Sequence, residues 1–320
     1  VSSVLAVDVG GTGLKGAVVD ARGHTVAVRD RPSRAGGRPV VDNLRDLLAD
    51  LAALAAAAGP ERPVAVGVGT PGTVDEASGT VVYASNLGWR DLGLRRLLEE
   101  ATGLPVAVGH DGRAAGRAEQ LVSGTRGNFV FVPIGTGISA ALVVGGVAVA
   151  GVSGAAGEFG HVVVHPDGEL CPCGQRGCVE AYAAGAAVLR RYLARGGRAA
   201  STAEVVGRLG TDALARQVWA EAVHALALGL QGLTVLLDPA EVVLGGGVSA
   251  AGPLLLEPLE VRLRSLLAWR EPPPLRTARW GTEAGRVGAA LLAFERVGIA
   301  PDLRFPLGPG VPLSPGVAAP

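Results

Sequence analysis

The sequence predicts an α/β protein of two domains, and three observations carry that prediction. Its 320 residues exceed one domain of about 150 residues. Apolar strands that end in glycine turns alternate with amphipathic helices. The order strand, glycine turn, strand opens the chain and recurs in its second half. With 29 basic against 29 acidic side chains the charge is balanced, which excludes a DNA-wrapping or polybasic membrane-binding protein. Hydrophobic residues make up 48% and charged residues only 18%, against about 25% charged in ordinary domains, so the chain is core-rich and folded.

The elements follow in order. Val4 to Val9, Lys15 to Val19 and Thr25 to Arg29 read as an antiparallel meander. Leucines at 44, 47, 48, 51 and 54 give a helix over Asp42 to Ala58, stopped by Gly59 and Pro60. Then come strand Val64 to Val68, a helix around Leu92 to Ala101, and strand Val106 to Val108 leading into His110 and Asp111. The first domain is set at 1–109 and the second at 110–297. The second begins with strand Phe129 to Ile134, the turn Gly135-Thr136-Gly137, strand Ser139 to Val144, a Gly145-Gly146 hairpin turn and strand Val147 to Ala150. Helices are expected over Val179 to Ala194, Thr202 to Arg208 and Asp212 to Leu237, then strand Val242 to Leu244 before Gly245-Gly246-Gly247. Residues 298–320 form a Pro- and Gly-rich tail, expected to be extended or disordered from Pro301 on. The uncharged run Phe129 to Gly157 is long enough for a membrane span, but its Pro and glycines fit buried strands and turns. With no charged leader and no disulfide framework, the expected location is the cytoplasm.

Gly11, Gly13 and Gly16 match the dinucleotide-binding pattern G-x-G-x-x-G, with Asp30 near the position of a ribose-binding acid. That pattern needs a helix directly after the glycines, whereas Ala17 to Arg29 alternates as a hairpin, and no P-loop sequence is present. The alternative is a strand ending in Asp8, followed by Gly10, Gly11 and Thr12, whose N–H groups and hydroxyl face phosphate oxygens. Asp8 would hold Mg²⁺ through water and Lys15, the one lysine of the chain, would balance phosphate charge. A tight turn with a solvated acid explains the stretch taken alone. The recurrence at Gly135-Thr136-Gly137 and at Gly245-Gly246-Gly247 points instead to a nucleotide held by three glycine turns.

Cys171, Cys173 and Cys178 lie within eight residues, ten positions after His161. Three thiolates and an imidazole are the complement of a closed, structural Zn²⁺ site. A disulfide with one cysteine left over and buried inert thiols are the competing readings, and His165 is the second choice of imidazole.

Five ordered motifs together resemble the ROK family of sugar kinases and repressors. They are Asp8-Val-Gly-Gly-Thr-Gly-Leu-Lys15, Gly67-Val-Gly-Thr-Pro-Gly72, Gly135-Thr-Gly137, Gly157-Glu-Phe-Gly-His161 and Cys171-Pro-Cys-Gly-Gln-Arg-Gly-Cys-Val-Glu180. The resemblance spans about residues 4 to 297. It implies the two-domain actin-like ATPase (ribonuclease H-like) fold, with ATP and a hexose in an interdomain cleft and transfer of the γ-phosphoryl group to a sugar hydroxyl, usually the 6-hydroxyl. It further implies that Asp111 is the general base and that Glu158, His161 and Glu180 contact the sugar, with the zinc holding them in place. Read alone, Asp111 caps the helix beginning near Gly112, and Glu158 and Glu180 are surface or helix-start acids. The chain departs from the family at His110, where Asn is usual, and at Arg113, where a small or amide residue is common. Neutral His offers the donor and acceptor that Asn would, from a larger ring, so His110 is expected to reshape the pocket for an amino or N-acyl hexose. A non-catalytic sugar sensor is the alternative function. Repressor relatives carry a DNA-binding module ahead of the kinase-like part, so no nucleic acid partner is expected here, and no membrane; the resemblance suggests a homo-oligomer. Polyphosphate-using relatives exist, and the cysteine motif favours ATP as donor. A lone Trp such as Trp89 reads as partly buried core.

Overall fold

The computed structural model describes residues 2–59, 62–125 and 127–301; most of the tail therefore lies outside the described residues. The chain forms two compact units. The elements of the first are β1 (Ser3–Val9), β2 (Gly13–Asp20), β3 (Thr25–Pro32), α1 (Val40–Ala58), β4 (Pro63–Thr70), β5 (Thr73–Asp75), β6 (Thr80–Ala84), β7 (Trp89–Leu92), α2 (Leu94–Thr102), β8 (Val106–His110) and α3 (Asp111–Ser123). The second contains β9 (Phe129–Pro133), β10 (Ala141–Val144), β11 (Val147–Ala148), α4 (Val179–Ala183), α5 (Gly185–Ala194), α6 (Thr202–Gly207), α7 (Ala213–Leu237), β12 (Glu241–Gly245), α8 (Pro253–Leu266) and β13 (Leu275–Thr277). The last helix, α9 (Ala284–Arg296), returns to the first unit, as does the segment Ala150–Ala156. These units are drawn differently from the contiguous segments 1–109 and 110–297: α3 stays with the first unit, and α9 packs on β1 and β4.

Each unit is built on a five-stranded sheet of the same design. The first has the order β3-β2-β1-β4-β8 and the second β11-β10-β9-β12-β13. In both, three antiparallel strands are followed by two that run parallel to the first. The repeated strand, glycine turn, strand order thus marks a repeated topology. The uncharged run 129–157 is divided among β9 to β11 and the turns around them. One helix among the described residues, α7, is long and apolar enough to cross a membrane. Here Val218, Trp219, Ala222, Leu226 and Leu230 bury it in the core of the second unit.

Period-two alternation sets what each face of the first sheet can touch. Leu5, Val7 and Val9 of β1 and Val66 and Val68 of β4 join Leu44, Leu47, Leu48 and Leu51 of α1 in one core. On the opposite face Ala6 of β1 and Ala65, Gly67 and Gly69 of β4 are small, and α9 packs against both strands. A Cβ at Gly67 would collide with the Ala289 carbonyl, and one at Gly288 with the backbone of Ala114 and Ala115 in α3.

Four parts of the structure have no counterpart in the sequence reading: the antiparallel sheet β5-β6-β7, α8, β13 and α9. Pro253 and Pro258 disguise α8, although a proline at the first helical position loses no hydrogen bond. Gly285 and Gly288 disguise α9, where they serve close approach rather than propensity. The helix expected over 179–194 is two, because Ala184 is extended at ψ 148 between α4 and α5.

Gly67→Ala should therefore cost about 3 kcal/mol in urea unfolding through overpacking. Gly207→Ala, in α6 with open space at its Cβ, should be neutral or stabilise by up to about 1 kcal/mol.

Candidate active site and metal centre

In the first unit the candidate residues collect at the carboxyl ends of the parallel strands, where open α/β sheets bind their ligands. Asp8 near the end of β1 pairs with Gly69, Gly69 pairs with Gly109, and Thr70 pairs with His110. Gly69 leaves room for Asp111, whose Cα would stand 3.4 Å from a Cβ there. Burial, then the Asp111 carboxylate, pushes Asp8 up to about 7, against the pull of Lys15 and Arg286. The backbone of α9 contributes to that burial, since a Cβ at Gly285 would overlap the Asp8 carboxylate. Burial likewise raises Asp111 to about 6, while the Gly112 N–H and Arg113 pull the other way.

The Gly10-to-Gly13 turn is braced from outside the motif. Gly10 N–H donates to Gly13 O at 2.8 Å, Ser33 Oγ donates to Gly10 O at 2.5 Å, and Ser33 N–H donates to Thr12 O at 3.1 Å. Ser33 is buried, and Asn43 Nδ2 holds its carbonyl at 3.1 Å. Sequence reasoning missed both residues, which carry no motif signal. Lys15 is the β2 partner of Asp8 and the β3-side partner of Asp30. Asp30 binds Arg286, so it serves as an ion-pair partner of α9.

His110 has a role that its residue type did not announce. Its Nδ1 accepts from Gly112 N at 3.1 Å and Arg113 N at 3.3 Å, capping α3. A ring nitrogen that accepts from amide N–H groups does so through its lone pair, which is the role of the unprotonated nitrogen of an imidazole. The Nδ1 acceptor expected for a sugar hydroxyl is spent on the cap. Capping of α3 thus falls to His110, while Asp111 Oδ1 accepts from its neighbour Gly112 N at 2.6 Å.

In the second unit the two glycine turns meet. Ile134 N donates to Gly245 O at 2.9 Å, and Val248 N donates to Ile134 O at 3.0 Å. Gly246 is at φ +76, and a Cβ there would press on Ile134 O at 2.5 Å. Gly135 and Gly247, by contrast, face open space without a positive φ, so nothing in the protein itself demands glycine there. Glu180 ties the first of these turns to the Gly157-to-His161 motif. Its Oε2 accepts from Ile138 N at 2.8 Å, and it fills the space beside Gly137 and Gly160. Glu158 Oε2 lies 4.0 Å from His161 Nε2.

The opposite ring nitrogen of His161 faces the cysteines. The ligand atoms of His161, Cys171, Cys173 and Cys178 lie within 4.8 Å of one another. Cys171 Sγ to His161 Nδ1 and Cys173 Sγ to Cys178 Sγ are both 3.8 Å. Ligands about 2.3 Å from a tetrahedral ion stand about 3.8 Å apart, so the four residues can hold one metal. All three thiols are free, which removes the disulfide reading. Burial pushes Cys171 and Cys178 up, so a cation would be needed to keep them as thiolates. His165 packs against Tyr182 and His224 instead.

Comparison with known proteins gives the family. A family model described as the ROK family matches residues 4–296. A glucokinase of Streptomyces coelicolor is 34% identical over 314 residues, covering 91% of this chain and 97% of that protein. An N-acetylmannosamine kinase of Shigella boydii is 34% identical over 307 residues, covering 91% and 98%. The crystal structure of a ROK family glucokinase from Streptomyces griseus in complex with glucose and AMPPNP superposes with a TM-score of 0.80 at 31% identity, over 92% of this chain and 100% of that one. The chain belongs to the ROK family. Its fold is the actin-like ATPase fold of the family's sugar kinases.

The cap makes a prediction for His110. His110→Ala should destabilise the protein by about 1–2 kcal/mol in urea unfolding, whereas His110→Asn, which can also cap, should stay within about 0.5 kcal/mol of the parent.

Proposed function

We propose that the protein is an ATP-dependent hexose kinase that phosphorylates the 6-hydroxyl of glucose or of a related amino or N-acyl hexose, with Asp111 as general base. The observation that carries this reading is the placement of Asp111: at a strand end, raised by burial to about 6, beside the Asp8 end of the sheet. A carboxyl near that value is ionised at neutral pH and still basic enough to take a hydroxyl proton, an effect worth ~10²- to 10⁴-fold. Oδ1 is held by Gly112 N–H, so Oδ2 is the atom that takes the proton. The similarity to a glucokinase and an N-acetylmannosamine kinase over nine-tenths of the chain supports a hexose substrate.

Gly10, Gly11, Thr12 and Lys15, and the turns Gly135-Thr136-Gly137 and Gly245-Gly246-Gly247, would receive the phosphates. The open space at Gly135 and Gly247 suits a ligand that approaches the backbone. Asp8 would hold Mg²⁺, which neutralises phosphate charge when bound. His110, Glu158, His161 and Glu180 would contact the sugar. His161, Cys171, Cys173 and Cys178 would hold Zn²⁺ as a structural ion that pins the Glu158-to-Glu180 loop. A soluble cytoplasmic homo-oligomer completes the proposal.

Sugar-stimulated ADP release across glucose, mannose, N-acetylglucosamine, N-acetylmannosamine and glucosamine tests it. One sugar should stimulate release, and Asp111→Asn should abolish it. Stimulation that survives Asp111→Asn would overturn the assignment of the base, and no stimulation by any sugar would favour a ROK sugar sensor. Because the ionised carboxylate is the active form, kcat/KM should fall about tenfold per pH unit below about 6. His110→Asn should shift the order of sugars, and an unchanged order would remove His110 from substrate choice. Chelating the metal should raise sugar KM severalfold; an unaltered KM would sever the zinc loop from sugar binding.

A further inference from the structure

The Arg113 guanidinium is almost fully buried, with the side chain 5% exposed. It spends its donors on two groups outside α3. Nε and Nη2 both donate to Glu76 Oε1, at 3.0 and 2.7 Å, and Nη1 donates to Gly154 O at 2.9 Å. The same Glu76 oxygen accepts His110 N at 3.2 Å. Arg113 N–H in turn is capped by His110 Nδ1. Asp111 therefore sits between two residues that are both tied to one carboxylate oxygen and to each other. Glu76 lies just after β5, and Gly154, at φ +75, packs so close to β5 that a Cβ would stand 2.7 Å from Val74 O.

We propose that Glu76 and Arg113 are positioning residues for the base: their ion pair fixes the start of α3, and with it Asp111, against β5 and the 150–156 segment. The inference rests on the reading of Asp111 as base. A buried guanidinium that loses its carboxylate is left uncompensated, so the pair works as a unit or not at all. A base displaced by about 1 Å costs on the order of 10²-fold in rate, which sets the scale of the expected effect.

The test compares kcat, ATP KM and sugar KM in Glu76→Ala, Glu76→Gln, Arg113→Met and the double variant Glu76→Ala/Arg113→Met, with Asp111→Asn alongside. Each single break should lower kcat by about 10- to 100-fold with ATP KM within about twofold. Glu76→Gln, which keeps the acceptor, should recover most of the rate. The double variant should lose no more than the worse single one. Wild-type kcat in Glu76→Ala, where the truncated side chain is itself 40% exposed, would overturn the proposal, as would losses that multiply in the double variant. If Arg113→Met does not fold, the Glu76→Ala and Glu76→Gln pair decides alone. An inactive Asp111→Asn beside a fully active Glu76→Ala would sink the positioning role while sparing the base; an active Asp111→Asn would sink the base itself.

Discussion

The backbone of α9 lies against β4 and β1 at a distance that no Cβ would allow, and the chemistry of the first unit depends on that approach. Gly67 and Gly285 permit it, and Gly288 permits the matching approach of α9 to α3. Its effect is electrostatic as well as steric. Packing a helix backbone over Asp8 removes water from a carboxylate that already has Asp111 as a neighbour. Two acids with raised pKa values at the ends of adjacent elements form the environment in which a cation and a proton acceptor are both useful. The cost is met within the same face, by Lys15 and Arg286 near Asp8 and by Arg113 near Asp111.

The second unit solves a different problem with the same strand order. Its long loop between β11 and α4 has little regular structure of its own, and polar side chains organise it. Glu180 joins the start of α4 to the turn after β9, His161 joins the loop's first turn to the cysteines, and Glu169 accepts from Arg190 and Arg191 of α5. A tetrahedral ion at the cysteines would add four bonds to a segment otherwise held by few apolar contacts.

Much of this was legible in the sequence because it rests on local pattern. The leucines of α1, the alternation of β1 to β3 and the glycine-bounded strands of the second unit announce themselves by period. The cysteine cluster and the acids Asp8 and Asp111 stand in motifs, and the structure gathers His161 with the three cysteines as their spacing implied. What was not legible depends on distant partners. Gly285 and Gly288 look like helix breakers until β1 and α3 are in place. Ser33 and Asn43 are ordinary polar residues until the turn at Gly10 needs bracing. Glu76 shows no pattern, and its meaning comes from Arg113, 37 positions away. His110 was legible as a departure but not as a cap, because capping is a property of ring orientation.

The pairing of Lys15 with Asp8 across β1 and β2 has a consequence for chemical labelling. The chain has a single lysine side chain, and it stands beside the strand end that gathers Asp8 and Asp111. An amine-directed acylating reagent has no competing lysine to consume it. Peptide mapping after such treatment separates Lys15 from the terminal α-amine, and the rate at which Lys15 is acylated becomes a footprint of whatever covers the turn at Gly10.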